Sequence, residues 1–197
     1  MGKTVRIGLI GAGGNTRYRH IPGFKAVPGV ELVAVCNRTK ASSEKVAREY
    51  GIPRVAENWR AIVEASDIDA VCIGTWPNLH GKLAVAALRA GKHVLTEARM
   101  ARNLAEAEMM LAESQLHPNL VAQVVPAPMS LAFDATVADI LAGGELGSLR
   151  EVHLTGTTDA LADSSLPLSW RQDLTLSGKN TLQMGIYYEI ALRWLRR

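Results

Sequence analysis

Val5-Arg6-Ile7-Gly8-Leu9-Ile10-Gly11-Ala12-Gly13-Gly14-Asn15-Thr16 is a short apolar run that breaks into glycines and then turns polar. Read as a strand followed directly by a helix, it places Gly11 at a tight turn. Gly13 then lets backbone N–H groups approach a pyrophosphate at the helix N-terminus. Glycines at a strand–helix turn are weak information alone. Their weight comes from opening the first strand–helix–strand unit of the chain. Gly14 and Asn15 complete the turn. Thr16 stands where a third glycine or an alanine is usual, so helix–sheet packing should differ there.

Outward from this turn, continuous apolar runs recur at Glu31–Cys36, Ala70–Ile73, His93–Thr96 and Leu120–Val124. Unbroken rather than alternating runs mark strands covered on both faces. Helices fall between them. Thr39 can cap one that runs to Gly51, and Leu79–Ala90 ends at Gly91. Asn103 with Glu106 forms a capping-box-like start for a helix reaching Leu116. Alternating strands and helices with short links predict right-handed crossovers and a parallel, doubly wound α/β sheet over residues 1–122.

The end of the second strand selects the cofactor. An acidic residue about 20 positions past the glycine motif would bond the ribose hydroxyls of NAD. Here Asn37 stands 21 positions past Thr16, followed by Arg38 and Thr39. The neutral amide removes repulsion of a 2′-phosphate, and the guanidinium and hydroxyl can bind it, so NADP is favoured over NAD. Arg17, Tyr18, Arg19 and His20 form a basic cluster just inside the first helix, read mainly as a solvated face.

The 197 residues are 48% hydrophobic and 21% charged, with a net charge of +3. That is globular composition, long enough for a sizeable core. The positive surplus is concentrated at Arg193, Arg196 and Arg197, which does not make a nucleic-acid face. No stretch reaches the ~20 apolar residues of a membrane span, and no secretory signal is read. Cys36 and Cys72 lie in strand-like runs, as buried thiols of a reducing cytoplasm would. No metal-ligand set is read.

The pattern changes after about Ala122. Pro126 and Pro128 break the chain, and Leu131–Leu141 reads as a helix ended by Gly143-Gly144. Arg150–Thr155 is expected to be a strand, and a last helix should run from about Asn180 to Leu195. One strand and two helices cannot bury the faces they present. Residues 123–197 are therefore expected to be the incomplete start of a second, α/β substrate domain, with oligomerisation through its open edge.

Taken with Thr75-Trp76-Pro77-Asn78-Leu79-His80, Gly91-Lys92-His93-Val94-Leu95-Thr96-Glu97 and Trp170-Arg171-Gln172-Asp173, the chain resembles the glucose–fructose oxidoreductase/inositol dehydrogenase (Gfo/Idh/MocA) family. The resemblance implies an N-terminal Rossmann domain, a C-terminal α/β substrate domain that often mediates homo-oligomers, and hydride transfer between NAD(P) and a carbohydrate-like alcohol or ketone. It also locates departures. Glu97 matches the family's G-K-H-V-x-x-E-K-P, but Ala98 and Arg99 replace its lysine and proline. In the last helix Tyr187 and Ile190 stand where G-x-H-x-x-D has histidine and aspartate. Hydride transfer at a carbinol needs a proton carrier on the oxygen. That leaves Tyr187, His80 and Glu97 as candidates, Tyr187 first by motif position. Without proline, the Ala98–Arg99 peptide is expected to be trans. Thr75, Pro77, Asn78, His80 and Glu97 join the cofactor set. Trp76 either packs on the cofactor or covers a strand end. Three readings stay open: an NADP-dependent oxidoreductase, a non-catalytic NADP(H)-binding protein, and an inactive piece of either.

Overall fold

The computed structural model describes residues 4–127, 132–159, 161–179 and 182–195. Six strands form one sheet in which every pairing is parallel. They are β1 (Val5–Ile10), β2 (Val30–Cys36), β3 (Arg54–Val55), β4 (Ala70–Ile73), β5 (His93–Thr96) and β6 (Ala122–Val124), in the order β3-β2-β1-β4-β5-β6. This is the doubly wound dinucleotide-binding order, whose ligand crevice opens at the carboxyl ends of β1 and β4, where the winding reverses.

The helices follow from local chemistry. The first runs from residue 14 to Lys25, with π-helical Thr16–His20 leading into α1 (Ile21–Lys25). Thr39 accepts the Ser42 amide and starts α2 (Lys40–Tyr50), which stops at Gly51 in the left-handed conformation. Asn58 caps α3 (Trp59–Val63) in the same way. Pro77, whose ring presets helical φ, opens α4 (Pro77–Arg89) two residues ahead of the expected Leu79. Asn103 accepts the Glu106 amide and starts α5 (Leu104–Leu116). Two apolar clusters sandwich the sheet. One holds Ile62, Ile73, Leu83 and Leu88, the other Leu9, Ile21, Val35 and Cys72.

Beyond β6 lie α6 (Asp134–Gly143), the short α7 (Leu174–Ser177) and α8 (Leu182–Leu195). Helix α6 ends at Gly143, past the expected Leu141. The expected starts at Leu131 and Asn180 lie outside the described residues, as do Pro128, Arg196 and Arg197. Arg150–Thr155 corrects the sequence reading: the segment forms no ladder, and all six residues are exposed. A strand needs a neighbour to take its backbone hydrogen bonds, and none of the described strands flanks it. The Ala98–Arg99 peptide, expected trans, is cis.

Candidate functional site

At the carboxyl ends of β1 and β4 the backbone is too close for side chains. Gly11 has φ +86°, and a Cβ on it would strike Thr75 and Gly74. A Cβ on Gly74 would lie on the Thr16 hydroxyl and the Gly11 carbonyl. Thr16, only 2% exposed, therefore fits as the third motif residue because Gly74 makes room, and its hydroxyl donates to the Gly11 carbonyl at 3.2 Å. Gly13 and Gly14 are different. A Cβ on Gly13 would touch only the Gly74 carbonyl, at 3.9 Å, and one on Gly14 nothing. The protein's own packing does not require glycine at either position.

Asn37 ties the turn to β2. Its Oδ1 accepts the Ala12 amide at 2.6 Å, and its Nδ2 donates to the Ser42 hydroxyl at 2.9 Å. Arg38 is exposed beside it, its guanidinium 5.2 Å from the Trp76 ring centre. Of the basic cluster, Arg17 pairs with Glu49 at 2.6 Å. His20 turns the other way, its Nε2 2.5 Å from Glu97 Oε1, which also accepts from Asn15 Nδ2. Burial would raise the Glu97 carboxyl, but the His20 and Asn15 hydrogen bonds and the two imidazoles of His20 and His80 hold it below its ordinary value. Sequence reasoning missed the His20–Glu97 pair because a π-helical turn sets which side of the helix His20 faces. It missed Gly74 because a strand-end glycine is common.

His80 is fully buried, with Nδ1 2.8 Å from the Arg99 carbonyl and Nε2 3.0 Å from the Thr75 carbonyl. It clips the loop after β4 to the loop after β5. Burial pushes its pKa down, opposed by those carbonyls and by Glu97. Pro77 is buried, and the Asn78 Oδ1 is buried without a partner. Tyr187 lies against Gly156, where a Cβ would fall on its ring. Arg99 donates to the Ser177 carbonyl and hydroxyl, both at 2.6 Å. The glycine turn, Asn37, Arg38, Thr75, Trp76, His20 and Glu97 thus converge on one sheet edge, whereas the contact described for Tyr187 is with Gly156 of the later segment. Two cavities, of about 170 and 220 Å³, lie against the faces of β4–β6 rather than at this edge.

The fold and the glycine turn define a dinucleotide-binding Rossmann protein. Residues 5–124 match the family model described as "Oxidoreductase family, NAD-binding Rossmann fold". The chain belongs to the Gfo/Idh/MocA family. It is 29% identical to levoglucosan dehydrogenase of Pseudarthrobacter phenanthrenivorans, over 91% of this chain and 48% of that protein. It is 30% identical to a dTDP-3,4-didehydro-2,6-dideoxy-alpha-D-glucose 3-reductase of Streptomyces violaceoruber, over 94% of this chain and 52% of that one. An oxidoreductase domain protein from Kribbella flavida superposes with a TM-score of 0.86 at 28% identity, covering 98% of this chain and 54% of that one. A 3-ketoreductase from Actinomadura kijaniata, solved with NADP and TDP-benzene, gives 0.65 at 28% identity over 72% and 43%. The chain spans about half the length of the curated relatives it matches.

Proposed function

We propose that this chain is the NADP-binding part of an oxidoreductase acting on a carbohydrate-like alcohol or ketone. The observation that carries the reading is the backbone cradle at Gly11 and Gly74, with Arg38 exposed at the end of β2. Gly13 and Gly14 leave the first-turn amides open to a pyrophosphate. With Asn37 turned inward onto Ala12, no carboxylate occupies the ribose position, and Arg38 and Thr39 are left to hold a 2′-phosphate. Trp76, within reach of Arg38, would flank the adenosine end. Bound there, the nicotinamide supplies or accepts the hydride.

The chain's own residues handle position and protons. Tyr187 is the proposed proton carrier. His80 acts as a positioning residue that fixes the Thr75 and Arg99 loops, and Glu97 holds His20 at the carboxyl edge. A kinship of this chain with relatives named for sugar substrates supports the substrate class. Homo-oligomers would form through residues 123–197, where Leu146, Leu149 and Leu168 are exposed. A reducing, cytoplasmic setting fits Cys36 and Cys72, which are free and buried, the Cys72 thiol being pushed up to about 12 by burial. A second reading, a non-catalytic NADP(H)-binding protein, is favoured by Ala98 and by Ile190, which is 5% exposed, since neither side chain has an exchangeable proton.

Titration with NADPH and NADH at one salt concentration tests the cofactor reading. A charge-assisted contact contributes about 1.5–3 kcal/mol, so NADPH should bind roughly 10–100-fold more tightly. Arg38→Ala should remove most of that difference, and equal affinities in the unaltered protein would refute it. Turnover separates the two readings. Tyr187→Phe should slow NADPH oxidation about 10²–10⁴-fold with cofactor binding unchanged, and an unaffected rate would exclude Tyr187.

A further inference from the structure

Two stacked indoles stand at the carboxyl edge with guanidinium groups around them. Trp76, just before α4, and Trp170, just before α7, have ring centres 6.1 Å apart and planes 20° from parallel. Arg171 lies 4.4 Å and Arg99 6.0 Å from the Trp170 ring centre. Arg99 is anchored through both terminal nitrogens to Ser177, and its Nε–H is buried with no acceptor. Burial and the charge of Arg171 both lower the Arg99 pKa. The nearby acids are engaged elsewhere: Asp173 accepts from Thr175, and Glu106 pairs with Arg102. Among the described residues, no carboxylate pairs with Arg99 or Arg171.

Two like charges on one indole, one with an unsatisfied buried donor, are unfavourable in isolation. An anion seated between them reverses the balance, because charge-assisted hydrogen bonds are the strong ones, and the exposed Arg171 guanidinium offers the fork that matches a planar oxyanion while the anchored Arg99 adds its charge. Arg38 is already assigned to the cofactor; Arg99 and Arg171 are not. Arg99 follows Glu97 by two residues, so this charge lies beside the edge where chemistry is expected.

We propose that Arg99, Arg171 and Trp170 seat an anionic group of the substrate, which makes the substrate class an acidic hydroxy or oxo compound bearing a carboxylate or a phosphate. This rests on the oxidoreductase reading above. The test is calorimetric titration of the whole chain, saturated with NADP⁺ at fixed ionic strength in chloride, with glucose, glucuronate and glucose 6-phosphate. At least one anionic ligand should bind 10-fold or more tightly than glucose, and which one does identifies the anion. Arg171→Ala, an exposed position, should reduce that preference about 10–100-fold with an unchanged circular dichroism spectrum, and Arg99→Lys should weaken it in parallel. No preference for the anions, a preference that survives Arg171→Ala, or its loss when NADP⁺ saturates the protein would overturn the proposal. If NADP⁺ itself fails to bind while anions still bind through Arg171, the seat stands and the oxidoreductase reading falls.

Discussion

In the six-stranded half, Leu9, Ile73 and Leu83 are no more than 1% exposed, whereas Leu146, Leu161 and Leu168 beyond it are 67, 67 and 83% exposed. The first half is held by apolar side chains between two helical layers. The second is joined to it around α7 by polar contacts and by the stacking of Trp170 on Trp76. Arg99 and Arg102 hold α7 by the Ser177 and Thr175 carbonyls. Within the second region Arg193 of α8 pairs with Asp134 of α6 at 2.8 Å, and Glu189 accepts the Ala127 amide at 3.0 Å. The comparison shows two kinds of cohesion in one chain, with the candidate cofactor site on the half with the apolar core and the proposed proton carrier on the other.

The largest expected effect comes from exchanging the same residue type between the halves. Leu83→Ala should destabilise the chain by about 2–5 kcal/mol through lost burial and a residual cavity. Leu168→Ala should stay within about 0.5 kcal/mol. Urea unfolding of the two variants checks this, and similar costs would erase the distinction between the halves.

A smaller effect sharpens the account of how the helix after the glycine turn is tied to β5. Since the folded Glu97 carboxyl titrates below its ordinary value of 4.5, its stabilisation is complete above that value and is lost as pH falls through the folded one. Glu97→Gln should therefore flatten the acid limb of stability below about pH 4.5, with a modest loss at neutral pH. An acid limb identical in both proteins would remove the His20–Glu97 link from the account.

Much of the fold is legible in the sequence. Five strands announced themselves because burial on both faces forces continuous apolar runs, and the caps at Thr39 and Asn103 follow from side chains that reach back to free amides. The rest depends on contacts distant in sequence. Strand β3 and helix α3, two and five residues long, are too short for a period to show. Val152 and Leu154 read as strand residues, yet an apolar pattern specifies a face and cannot supply a partner. At the site, Gly11, Asn37 and Arg38 were readable from their spacing. The inward turn of Asn37, the clearance at Gly74 and the pairing of His20 with Glu97 arise where separate loops meet.

The central claim is that the turn after β1 is a seat for a dinucleotide and not merely a tight corner. Gly13→Ala separates the two, because the fold leaves room for the new Cβ while a pyrophosphate seated on the turn would not. NADPH titration of this variant, beside its urea unfolding curve, is the most direct test. The account predicts stability within about 0.5–1 kcal/mol of the parent and affinity reduced by about 10-fold or more. Unchanged NADPH affinity in a stably folded Gly13→Ala protein would contradict it.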